Sequence, residues 1–201
     1  MLRRIEVAAA AGVILGAGAA AFAGLPDQVG LDDLIARVGA GNEPTGAGVV
    51  VSMVEAPAGS NYAPNVNNPE FDDITLILMS GSSGTSGHAD TVAERFFGNL
   101  TSIAPGIPTA RCYEVNSWAG SGFLRTGQSG APLPMPGGIK VQNHSWIGSF
   151  GSASLDNDAL RRTDFVALRD DVLFVVGVNN ADPNQPLVSH IYNGLACGKS
   201  S

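Results

Sequence analysis

Glu55 closes the apolar run Val49-Val50-Val51-Ser52-Met53-Val54, and an acid at the carboxyl end of a buried strand stands where open α/β sheets collect ligands and catalytic groups. His88, Asp90 and Glu94 also carry metal-binding groups. Their spacing matches no established site, so neither a metal nor a cofactor is expected, and structural calcium is left open. The two cysteines, Cys112 and Cys197, are too few for a metal cluster or a disulfide scaffold. In an oxidising compartment they can pair if their Cα atoms come within reach, and the sequence leaves that open.

The elements that must position these residues read as alternating helices and strands. Leu31, Leu34, Ile35 and Val38 recur at helical spacing, and Gly39 to Gly41 ends that helix. Thr45-Gly46-Ala47-Gly48 turns the chain into the run that ends at Glu55. That run is apolar without alternation, which predicts a strand buried on both faces of a parallel sheet. Ile74 to Met79 is a second strand. Asp90 to Phe97 is a helix with Asp90 or Thr91 as its cap and Gly98 as its stop. Strands follow at Ala110 to Val115, at Lys140 to Ser145 and at Val172 to Val176. Ala159, Leu160, Thr163, Val166 and Ala167 form one face of the helix between the last two. The Gly- and Pro-rich stretch Asn116 to Gly138 reads as a surface excursion. This order predicts an α/β fold, a doubly wound, mainly parallel sheet with helices on both faces.

Composition narrows the function. The 201 residues are 44% hydrophobic, ample for one α/β core, and 26 glycines and 12 prolines without period imply many tight turns. A formal charge of −7, with no basic cluster beyond Arg3-Arg4 and Arg161-Arg162, leaves nothing to neutralise phosphates, so nucleic acid is excluded as a partner. Residues 1–23 carry a basic start, an apolar run of 17 residues from Val7, and Ala21-Phe22-Ala23 before Gly24. This is the pattern of a cleaved secretory signal peptide, and the run is short for a membrane anchor. The expectation is a protein of residues 24–201, secreted or held in the cell envelope, with no membrane association after cleavage.

The blocks, taken in order, resemble the subtilisin-like serine peptidases. Thr45-Gly-Ala-Gly-Val-Val-Val-Ser-Met-Val-Glu55 looks like that family's T-G-x-G-V-x-V-A-V-I-D strand, and Gly87-His-Ala-Asp-Thr-Val-Ala93 looks like its G-H-G-T-H-V-A helix start. Ser102-Ile-Ala-Pro105 is similar to its G-V-A-P turn, Val141-Gln-Asn-His-Ser145 to its V-I-N-M-S strand end, and Ala159 to Asn180 to its A-L…V-V-V-A-A-A-G-N segment.

The resemblance implies a Ser-His-Asp triad with an oxyanion donor acting on peptide or protein substrates. With the second His of the family motif taken as the base, Thr91 stands at the base position and His88 at the other, where it is a substitute base at most. Glu55 stands at the Asp position, one methylene longer, and that length is expected to displace the carboxylate unless the backbone retreats. Asn180 stands at the oxyanion position. Gly84-Thr85-Ser86 followed by Thr91-Val92-Ala93 also resembles the nucleophile motif G-T-S-M-A-S-P-H-V-A, which makes Ser86 an alternative nucleophile. In the main alignment the serine segment falls beyond the 21 residues that follow Asn180. The expectation is therefore a partial peptidase domain that is inactive as this chain, with an unfilled core and a tendency to aggregate. The alternative is a non-catalytic secreted protein that binds peptides or a partner at the carboxyl ends of its strands.

Overall fold

The computed structural model describes residues 29–179 and 187–198. Residues 1–23, which the sequence reads as a signal peptide, lie outside the described residues. Four α-helices are present among them: α1 (Leu31–Val38), α2 (Gly87–Phe97), α3 (Val115–Ala119) and α4 (Ala153–Asp170). Six strands, β1 (Val50–Glu55), β2 (Thr75–Leu78), β3 (Thr109–Glu114), β4 (Ile139–His144), β5 (Leu173–Gly177) and β6 (Gly194–Cys197), form one sheet in the order β2-β3-β1-β4-β5-β6. Every neighbouring pair is parallel. None of the described helices is long and apolar enough to cross a membrane.

Both faces of this sheet are covered, which gives the α/β doubly wound fold its two cores. On one face Val51 and Met53 of β1 and Ala110 and Cys112 of β3 pack against Ala89, Ala93 and Phe97 of α2. On the other, Val54, Tyr113, Phe174 and Val176 meet Trp118 of α3 and Val166 of α4. The turn into β1 needs its glycine: Gly46 has φ +81°, and a Cβ there would sit 2.7 Å from Ile107 Cγ1.

Three readings of the sequence are corrected. Helix α2 begins at Gly87, because the Ser86 hydroxyl accepts the Ala89 N–H and caps it, ahead of Asp90 or Thr91. The stretch after β3 enters the core: Trp118, Phe123 and Leu124 are buried. Its Gly- and Pro-rich backbone is pinned from α4, where Arg162 donates to the carbonyls of Leu124, Gln128 and Gly130, and Arg169 to those of Pro132 and Leu133. Strand β6 was not foreseen, since Gly194-Leu195-Ala196-Cys197 has no β-branched residue to mark it.

Because Trp118 is fully buried in the core, Trp118→Ala is expected to cost about 3–5 kcal/mol of unfolding free energy, against no more than about 0.5 kcal/mol for a surface substitution. Urea titration of the two chains measures the difference.

Candidate functional site

Side chains alternate along β1, so Val51, Met53 and Glu55 all face α2. The small residues Ala89 and Ala93 let the helix lie close to the strand. This brings the helix start beside the strand end, and His88 Nδ1 lies 2.6 Å from Glu55 Oε2. The carboxylate accepts the Nδ1–H, which leaves Nε2 as the ring nitrogen able to take a proton.

Glu55 is completely buried, whereas the His88 side chain is 61% exposed. Burial raises the Glu55 carboxyl pKa to about 7, and the hydrogen bond and charge of His88 pull against that rise. Glu55 Oε1 has no hydrogen-bond partner among the described residues. The added methylene does not break the contact with the histidine: the longer side chain reaches His88 at full hydrogen-bonding distance.

Thr91 takes no part in this pair. It lies on the exposed side of α2, and its hydroxyl donates to the Gly87 carbonyl one turn back. The side chain of α2 that meets the carboxylate is His88, and Thr91, at the family's base position, does not reach it. Ser86 is 1% exposed and spends its hydroxyl on the helix cap. Asn180 lies outside the described residues.

The other metal-binding groups in this region hold the preceding loop. Asp90 accepts from Asn65 N and Asn68 Nδ2, and Glu94 accepts from Asn68 Nδ2. The loop is gripped again where the Ser83 hydroxyl accepts from the backbone of Tyr62 and Ala63, and where Ser86 N donates to Ala63 O. Together these bonds fix the turn from which His88 projects.

His88 opens on a cleft of about 470 Å³ at the carboxyl ends of β4, β5 and β6, lined also by Asn143, Ser145, Trp146, Asn179 and Cys197. The polar ending of β4 was visible in the sequence, but its convergence on His88 depends on strand order. Cys112 and Cys197 are both free. They sit on β3 and β6, with β1, β4 and β5 between them. Burial pushes the Cys112 thiol up to about 12, so it stays protonated.

No family model matches this chain, and no curated protein matches it. Among solved structures it is similar to the prenylagaramide maturation protease PagA, with 17% identity and a TM-score of 0.40 over 69% of this chain and 47% of that one. It is also similar to a cold-adapted subtilisin-like serine proteinase, with 15% identity and a TM-score of 0.41 over 79% of this chain and 65% of that one. The chain thus spans between about half and two thirds of these structures.

The raised Glu55 pKa fixes the sign of one pH effect. Between the ordinary value of 4.5 and about 7 the folded state holds a proton that the unfolded state releases, so the Glu55 contribution to stability falls as pH rises through that window. Glu55→Gln has no such proton to lose. Denaturant midpoints at pH 5 and pH 8 should show a smaller drop for the variant than for the native chain.

Proposed function

We propose that this chain carries the acid–base pair and part of the substrate cleft of an exported, subtilisin-like serine endopeptidase. The observation that carries this reading is the 2.6 Å contact between His88 Nδ1 and the buried Glu55 carboxylate, made beside an open cleft at the carboxyl ends of a parallel sheet. The order of the subtilisin-like sequence blocks along the chain supports it, and the histidine that meets Glu55 lies within the second of those blocks.

In this reading His88 Nε2 takes the proton of a serine hydroxyl as its oxygen attacks the peptide carbonyl. The same proton passes to the departing amine, and Glu55 stabilises the imidazolium in between. Ser86 is spent on its cap, so in this reading the hydroxyl belongs to another serine. An oxyanion donor at Asn180 and a peptide or protein substrate belong to the same proposal, as does export through residues 1–23.

A fluorophosphonate probe applied to the protein isolated from its natural host tests the chemistry. The expected result is a labelled serine, a protein that begins near Gly24, and labelling abolished by His88→Ala. A protein that binds peptides but never labels would overturn the peptidase reading in favour of a non-catalytic binding protein. The pair itself is read by imidazole ¹⁵N shifts, which should report the Nδ1–H tautomer in the native chain and lose that bias in Glu55→Gln.

A further inference from the structure

Ser52, Gln142 and His144 are polar side chains with no solvent exposure, set within a core of aromatic and aliphatic groups. Buried polar groups are tolerated when they bond to one another. These do so in a single file that ends at the cleft. Trp146 Nε1 lies 3.1 Å from His144 Nδ1, His144 Nε2 lies 3.0 Å from Gln142 Oε1, and Gln142 Nε2 lies 2.7 Å from Ser52 Oγ.

The direction of the file follows from what each group can do. An indole N–H only donates, so His144 Nδ1 is an acceptor and carries no hydrogen. His144 Nε2 then holds the ring hydrogen and donates it to Gln142 Oε1. That choice turns the Gln142 amide so that its NH2 donates to Ser52. Burial lowers the His144 pKa to about 3, which keeps the ring neutral. The ring is also wedged by aromatic neighbours, with Trp118 edge-on at 4.7 Å between centroids and Phe174 at 5.5 Å.

Trp146 is the end of the file that meets the cleft, where it shares the lining with His88. It is 7% exposed, and its one polar atom is turned inward to His144, so what the indole offers the cleft is carbon. Phe150 braces it at 6.2 Å. We propose that His144 is a positioning residue: by accepting the Trp146 indole hydrogen it fixes that ring as a rigid apolar wall of the His88 cleft, and this wall selects peptides that carry a large apolar side chain. The peptide as ligand rests on the function proposed above. The fixed wall is additional to the acid–base pair and independent of it.

The test measures binding of two N-acetylated pentapeptide amides, identical except for Phe or Ala at the central residue, to the full chain carrying His88→Ala so that nothing is hydrolysed. With His144 in place, the Phe peptide should bind about tenfold tighter, as burial of one large apolar group implies. His144→Phe should erase most of that preference while leaving the Ala peptide unchanged. His144→Asn, whose Oδ1 keeps an acceptor for the indole, should restore it. Trp146→Phe, which keeps an apolar ring but removes the donor, should repeat the loss without altering the core histidine. An equal loss for both peptides, or an Asn variant no better than Phe, overturns the positioning role. A chain that binds neither peptide overturns the peptide reading of the cleft and the selectivity assigned to Trp146. Preserved preference in a protein that never labels with fluorophosphonate sinks the peptidase proposal and leaves this one standing.

Discussion

The central strand β1 is paired on both edges and covered on both faces, so each of its side chains must enter one of two different cores. A strand has no third direction. Val51, Met53 and Glu55 go toward α2, and Ser52 and Val54 go toward α3 and α4. A slip of one residue would exchange the two sets, parting Glu55 from His88 and Ser52 from Gln142 together. The pairing of β1 therefore holds both polar systems in place, although they lie on opposite faces of the sheet.

What α2 adds is closeness and a fixed end. Alanine at 89 and 93 leaves little bulk between helix and strand, and Phe97 closes the far end of the contact against Phe71 at 5.6 Å between ring centroids. The near end is held by the Ser86 cap and by the Asp90 and Glu94 carboxylates gripping the preceding loop. An exposed histidine on a frayed helix end would wander among rotamers. Here the backbone beneath it is tied at several points, so the 2.6 Å contact to Glu55 asks little more than one side-chain choice.

How far the sequence discloses this depends on what each element uses to declare itself. Strands β1, β2 and β5 are visible as apolar runs, and Gly98 marks the end of α2, because burial on both faces and a helix stop each demand particular residue types; β3 and β4 carry mixed sequences, TARCYE and IKVQNH, and show more through their place between turns. Strand β6 and α3 carry no such mark: one is Gly-Leu-Ala-Cys, and the other is a five-residue helix inside a Gly- and Pro-rich stretch that is held from outside by Arg162 and Arg169. Glu55 was legible because a strand's carboxyl end is a place fixed by topology. His88 enters the sequence reading as a substitute base at most, because taking the second His of the motif places the family's base position three residues later, at Thr91. Helical phase separates the two: His88 and Val92, four residues apart, share the side of α2 that lines the cleft, and Thr91 falls off it. The file from Ser52 to Trp146 had no sequence signature, since it joins residues 90 positions apart through strand register.

Glu55 has one oxygen bonded to His88 and another with no partner among the described residues, inside a core that disfavours its charge. Desolvation alone would keep such a carboxyl neutral, and the largest influence opposing it is the imidazole. The negative charge of Glu55 thus leans on its hydrogen bond to His88. Because His88 is more than half exposed, water screens this coupling whenever the cleft is open. A ligand that fills the cleft removes that water and strengthens the attraction between an imidazolium and the carboxylate beneath it. An acid buried on a strand end, reached by a histidine on a helix start, therefore becomes a better stabiliser of positive charge on the ring when the cleft is occupied.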